Sequence, residues 1–144
     1  MNAVPVLPLP APTRNAIYNL LRDEKIEGLQ VNILMSMHAV IQMHKQKDID
    51  FAPADAFLFN TLIQSQSSLR SEIWYPICLP GVFLEDRVFC YINFLTDYVI
   101  HIMVSDEASI FQELSKASRD LREKCIEQGI FEQIHTAAQR QLSN

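Results

Sequence analysis

Glycine is scarce in this chain: Gly28, Gly81 and Gly129 are the 3 glycines in 144 residues. A phosphate-cradling loop needs several glycines within a few positions, so nucleotide-binding turns of that kind are excluded. Cysteine is equally sparse. Cys78, Cys90 and Cys125 are an odd number without tight spacing, which fits reduced thiols and not a disulfide framework. No histidine pair stands at zinc-ligand spacing with them, so no metal and no cofactor is expected. Positive charge is short too. The 12 Lys and Arg are outnumbered by 17 Asp and Glu, for a net charge of -5. A basic footprint for nucleic acid is missing. Lys45 and Lys47 alone are weak grounds for contact with anionic lipid. No apolar run approaches the roughly 18 residues that span a bilayer. Met1 to Pro12 has no charged start, so it does not read as a signal peptide. No nucleophile elbow supports a Ser-His-Asp arrangement, and an enzyme is not expected.

What the chain does have is apolar content, 49% of residues. It concentrates in Trp74-Tyr75-Pro76-Ile77-Cys78-Leu79-Pro80 and in the runs Val88 to Leu95 and Tyr98 to Val104. β-Branched and aromatic residues between turn signals read as strand. Apolar residues fall at odd and even positions alike, so both faces of these strands are expected to be covered. The connections are too short for crossovers, which makes the three runs an antiparallel meander. Pro76 and Pro80 cannot donate ladder hydrogen bonds. Their even spacing turns both gaps to one side, which predicts that this strand lies at a sheet edge.

In chain order, residues 1–12 carry Pro5, Pro8, Pro10 and Pro12 and read as a proline-rich lead-in. Residues 13–144 read as one domain. Thr13 is the expected N-cap of a helix over about Arg14 to Ile26, closed by Gly28. Leu29 to Met35 and Ala39 to His44 are strands joined by Ser36-Met37-His38. Pro53 opens a second helix with Asp55 in its first turn, and Gln64 to Ser68 ends it. After the meander, Ser105 and Asp106 cap a long helix through Ile110, Leu114, Ala117, Leu121 and Cys125. Gly129 interrupts it, and a last helix follows. The order predicts a three-layer α+β domain with a five-stranded antiparallel sheet and helices on both faces. That resembles a longin or profilin-like domain, and the resemblance implies the strand order 2-1-5-4-3.

Cys78 and Cys90 are expected as neighbouring buried hydrophobes. His38 and His44 read as solvated edge residues, and His101 as a satisfied core or interface histidine. Neighbouring strand residues face opposite sides, so Trp74 is read as core and Tyr75 as a candidate interface residue. A second function class uses a similar sheet: a small-ligand sensor of the PAS or GAF type, which needs an internal cavity.

The motif Trp74-Tyr75-Pro76-Ile77-Cys78-Leu79-Pro80 resembles one of the Mon1 (SAND) family of vacuolar fusion proteins, which usually has threonine at the second position. Phe51-Ala52-Pro53-Ala54-Asp55 through Phe59-Asn60, Ser67-Ser68, Leu7-Pro8-Leu9-Pro10 with Arg14, and Val104-Ser105-Asp106-Glu107 are similar as well. The loop Gly81-Val82-Phe83-Leu84-Glu85-Asp86-Arg87 departs from the family. The resemblance implies the second of three longin domains in a longer chain. It implies pairing with a Ccz1-like subunit to form the exchange factor for Rab7-type GTPases, cytoplasmic and peripheral on late endosome and vacuole membranes. The exchange site belongs to the first longin pair, so this domain is expected to serve assembly and to self-associate when isolated. Tyr75, Pro76, Pro80 and Phe83 are the candidate partner interface, with Trp74, Ile77, Cys78 and Leu79 as the structural motif.

Overall fold

The structure is a computed structural model that describes residues 7–65, 72–77 and 88–143. Helix α1 (Ala11–Arg22) is followed by β1 (Leu29–Met35) and β2 (Val40–Lys45). A 3-10 helix (Pro53–Phe59) runs into α2 (Asn60–Ser65). Then come β3 (Ile73–Ile77), β4 (Val88–Phe94), β5 (Ile100–Ser105), α3 (Phe111–Glu127) and α4 (Ile130–Ser143). All four ladders are antiparallel, as the short loops predicted, and the strand order is 2-1-5-4-3, as expected of a longin-like pattern.

Both faces of the sheet are buried, which is why alternation is poor. Val31, Ile33 and Met35 of β1, Cys90 and Ile92 of β4, and Ile100, Ile102 and Val104 of β5 pack with Phe51, Ala56, Phe59 and Ile63. This is the face under the 3-10 helix and α2. On the opposite face, Leu34 and Ile41 pack with Ile17, Leu21, Leu121, Cys125 and Ile134 of α1, α3 and α4. Tyr91 and Met103 meet Leu114 and Ala117 of α3 on that same face.

Three helix boundaries differ from expectation. Helix α1 starts at Ala11, with Pro12 in the first turn, where no helical N–H is needed. Thr13 therefore lies inside the helix. It is buried, and its hydroxyl bonds to Gln133 of α4. The helix also ends at Arg22, short of Ile26. Gly28 sits at φ 96 in the turn that follows, and a Cβ there would meet Glu107 Cβ at 2.8 Å. Ser105 and Asp106 do not cap α3, because β5 runs through Ser105. The Ser105 hydroxyl instead accepts the Glu107 N–H at 2.8 Å, closing a turn, and the helix begins at Phe111. The helix opened by Pro53 is 3-10 for its first 7 residues. Its start is fixed by the Asp55 carboxylate, which accepts the Ala52 N–H at 2.7 Å.

Candidate partner interface

Among the described residues β3 forms one edge of the sheet, with β4 as its neighbour in the sheet order. Its register runs without a shift from Ile73 opposite Ile92 to Ile77 opposite Val88. Pro76, opposite Phe89, is tolerated because an edge strand does not need every donor. Ile73 is buried and Ile77 half-buried against the cluster under α2. Tyr75 projects on that same face but stands at the rim, 41% exposed, and Pro76 is exposed beside it. Trp74 points to the α3 face. Its ring stacks on Phe89 at 5.5 Å and meets Phe111 at 5.9 Å. It is half-buried, so the reading of Trp74 as core holds for one side of the ring. Glu72, just before β3, accepts a hydrogen bond from the Tyr91 hydroxyl.

Four of the sequence-selected residues, Cys78, Leu79, Pro80 and Phe83, lie outside the described residues. The β3–β4 ladder does bear on one expectation among them. Cys90 stands opposite Tyr75, so the register does not make Cys78 the cross-strand partner of Cys90.

The remaining described titratable groups offer no reactive centre of the usual kinds. Cys90 and Cys125 are free and buried. Burial pushes the Cys90 thiol far up and the Cys125 thiol up to about 12, which suppresses the thiolate that nucleophiles and metal ligands need. Among the described residues, no group of three His, Cys, Asp or Glu side chains is placed to hold a metal ion. His38 is exposed. His44 is half-buried, edge-on to Tyr18 at 5.7 Å, and burial together with Lys25 and Arg22 lowers its pKa. An open surface cleft of about 510 Å³ is lined by Glu27, Gly28, Asp106, Glu107 and Ile110. It sits outside the core layers, where a sensor would hold its ligand.

The feature that sequence reasoning missed is a buried polar chain between β1, β4, β5 and α3. His101 Nε2 lies 2.7 Å from Asn32 Oδ1 and Nδ1 lies 3.0 Å from Ser118 Oγ. The Asn32 amide donates to the Leu21 carbonyl at 3.2 Å, which turns Oδ1 toward the histidine. Nε2 therefore carries the proton, and Nδ1 accepts from the Ser118 hydroxyl. Ser118 in turn accepts from Asn93 Nδ2 at 3.1 Å. Burial lowers the His101 pKa to about 3, and both ring nitrogens are occupied. His101 is a satisfied core histidine and not a general base.

Relatives of known name and structure agree with this architecture. The chain is 31% identical over 140 residues to vacuolar fusion protein MON1 homolog A of Gallus gallus, covering 95% of this chain and 26% of that protein. It is 29% identical to the Homo sapiens homolog A, covering 90% of this chain and 20% of that protein. It is 28% identical to the Arabidopsis thaliana MON1 homolog, covering 79% and 19%. The chain thus spans about a quarter or less of these relatives' length. Among solved structures, an MglB with tetrameric arrangement superposes with a TM-score of 0.68 at 14% identity, over 92% of this chain and 99% of that one. The gliding protein MglB of Thermus thermophilus gives 0.62 at 13% identity, over 84% and 93%. These two carry the fold. Residues 31–122 match the family described as the second longin domain of FUZ, MON1 and HPS1, and the chain belongs to that family.

Proposed function

We propose that the chain is a non-catalytic assembly domain of a Mon1-like subunit. In this reading it works within a Mon1–Ccz1-type exchange complex for Rab7-type GTPases in late endosome and vacuole fusion. It contacts a Ccz1-like subunit and the other longin domains of its own longer chain. The GTPase meets it only through the whole complex, which is cytoplasmic and peripheral on the membrane. Among the described residues no helix is long and apolar enough to cross a membrane, so membrane contact is assigned to the assembled complex.

The observation that carries the proposal is the β3 edge in a second longin domain. An unpaired strand edge offers a row of backbone donors and acceptors to a partner. Tyr75 supplies an exposed aromatic anchor on it, the residue type enriched in interface cores. Among the described residues nothing beside it is built for bond-making, since the thiols are buried and His101 is spent internally.

Fluorescent-nucleotide release from a Rab7-type GTPase tests the reading. The lone domain is expected to leave the release rate unchanged. The complete Mon1-like subunit with a Ccz1-like subunit is expected to accelerate release. Deleting this domain from that subunit should reduce co-purification of the pair. Acceleration by the lone domain would overturn the proposal, as would full co-purification without it.

A further inference from the structure

The two edges of the sheet are finished differently. On the β2 side, the Leu7 N–H donates to the Val40 carbonyl at 3.2 Å. The Ala39 carbonyl faces β1, since it accepts the Ser36 N–H at 2.8 Å. Carbonyls alternate sides along a strand, so the Val40 carbonyl faces outward and Leu7 sits where an added strand would sit. The Leu7 carbonyl accepts Arg14 Nη1 at 2.9 Å, which ties the segment to the first turns of α1. Leu7 and Leu9 are buried with Ile17, Leu21 and Ile41, whereas Pro8 and Pro10 face solvent. The exposed positions of this segment therefore carry no N–H to offer a further strand.

β2 bears two more devices that resist strand addition. A bulge at Ile41 shifts its register with β1, and Lys45 occupies its far end, reaching back to the Ile49 carbonyl at 2.8 Å. The segment at residues 7–10 guards the half of β2 that has no lysine. β3 lacks both a bulge in its ladder and a lysine between Ile73 and Ile77.

We propose that residues 7–10 are a strap that closes the β2 edge, so that strands add to this sheet on the β3 side alone and one domain takes one edge partner. The inference rests on β3 being the assembly edge. With the strap removed, the occupant of β2 is a second copy of this chain.

The test compares the chain with a variant lacking residues 1–10 and with Leu7→Pro, which removes the donating N–H and keeps the side chain apolar. Circular dichroism reports folding, light scattering reports size, and amide hydrogen exchange locates the contact. The parent is expected to grow no further than a dimer. A folded strap variant should form species that enlarge with concentration, with new protection of β2 amides. A folded variant that keeps the parental size and unprotected β2 amides overturns the proposal. So does failure of both variants to fold, since the segment would then be a folding element and not a guard. Tyr75→Lys in each background separates the two readings. If association is insensitive to that charge, β3 is not the assembly edge, while the β2 result stands by itself.

Discussion

His101 gains nothing from a proton. Its folded pKa is lowered to about 3 from 6.5 by burial, so below pH 6.5 the unfolded chain takes up a proton that the folded chain refuses. Stability is full above that pH and falls by about 1.4 kcal/mol per unit down to about pH 3. His44, also lowered, adds slope of the same sign. Urea unfolding at pH 7 and pH 5 is expected to show a drop that is about 2 kcal/mol smaller in His101→Gln, whatever the variant's absolute stability. An equal drop in both proteins would refute the assignment. The glycines differ in the same residue-by-residue way. Gly129 has φ 66 and open space where a Cβ would stand, whereas Gly28 has φ 96 and Glu107 against that place. Gly129→Ala should cost about 1 kcal/mol from the left-handed backbone alone. Gly28→Ala adds a clash, and its melting temperature should fall clearly further. The polar chain around His101 is not legible in the sequence. Asn32 and His101 are 69 residues apart, and no periodicity announces that two polar residues on apolar strands face each other.

At the scale of elements, the edge position of β3 was legible in Pro76 because a missing donor is a covalent fact. The side chains on it divide by face. Trp74 rests on Phe89 and Phe111 with part of its ring exposed. Trp74→Ala should therefore cost about 2 kcal/mol, below the roughly 3–5 kcal/mol of a fully buried tryptophan. Chemical denaturation measures it. Tyr75→Ala should change stability by less than about 0.5 kcal/mol. In calorimetry it should weaken binding to a Ccz1-like subunit by roughly tenfold, as loss of an interface aromatic does. Unchanged affinity would remove Tyr75 from the interface. The helix starts were the least legible elements. Ser105 and Asp106 look like caps in sequence, but Ser105 is held as strand by Leu29 and Phe89 on its two sides. Thr13 looks like a cap as well, yet its hydroxyl serves a helix–helix contact with Gln133. In both cases a distant partner took the side chain that local chemistry would have used as a cap.

On the scale of the whole molecule, the layer order followed from short connections and from apolar runs without alternation. Strand order was legible through the likeness to a longin-like pattern, and Pro76 placed β3 at an edge without it. That same topology has a kinetic consequence. β1–β2 and β3–β4–β5 are each joined by chain neighbours, but the central ladder, β1 against β5, brings together residues such as Ile33 and Ile102. Closing so long a loop costs entropy before any contact repays it. Each half is a two- or three-stranded sheet with a bare inner margin until the other arrives. The central ladder is thus the slow step of self-assembly within the chain. A ribosome must release β5 before β1 has its second neighbour, so from the moment β1 emerges until then the nascent domain carries an inner strand as a bare margin.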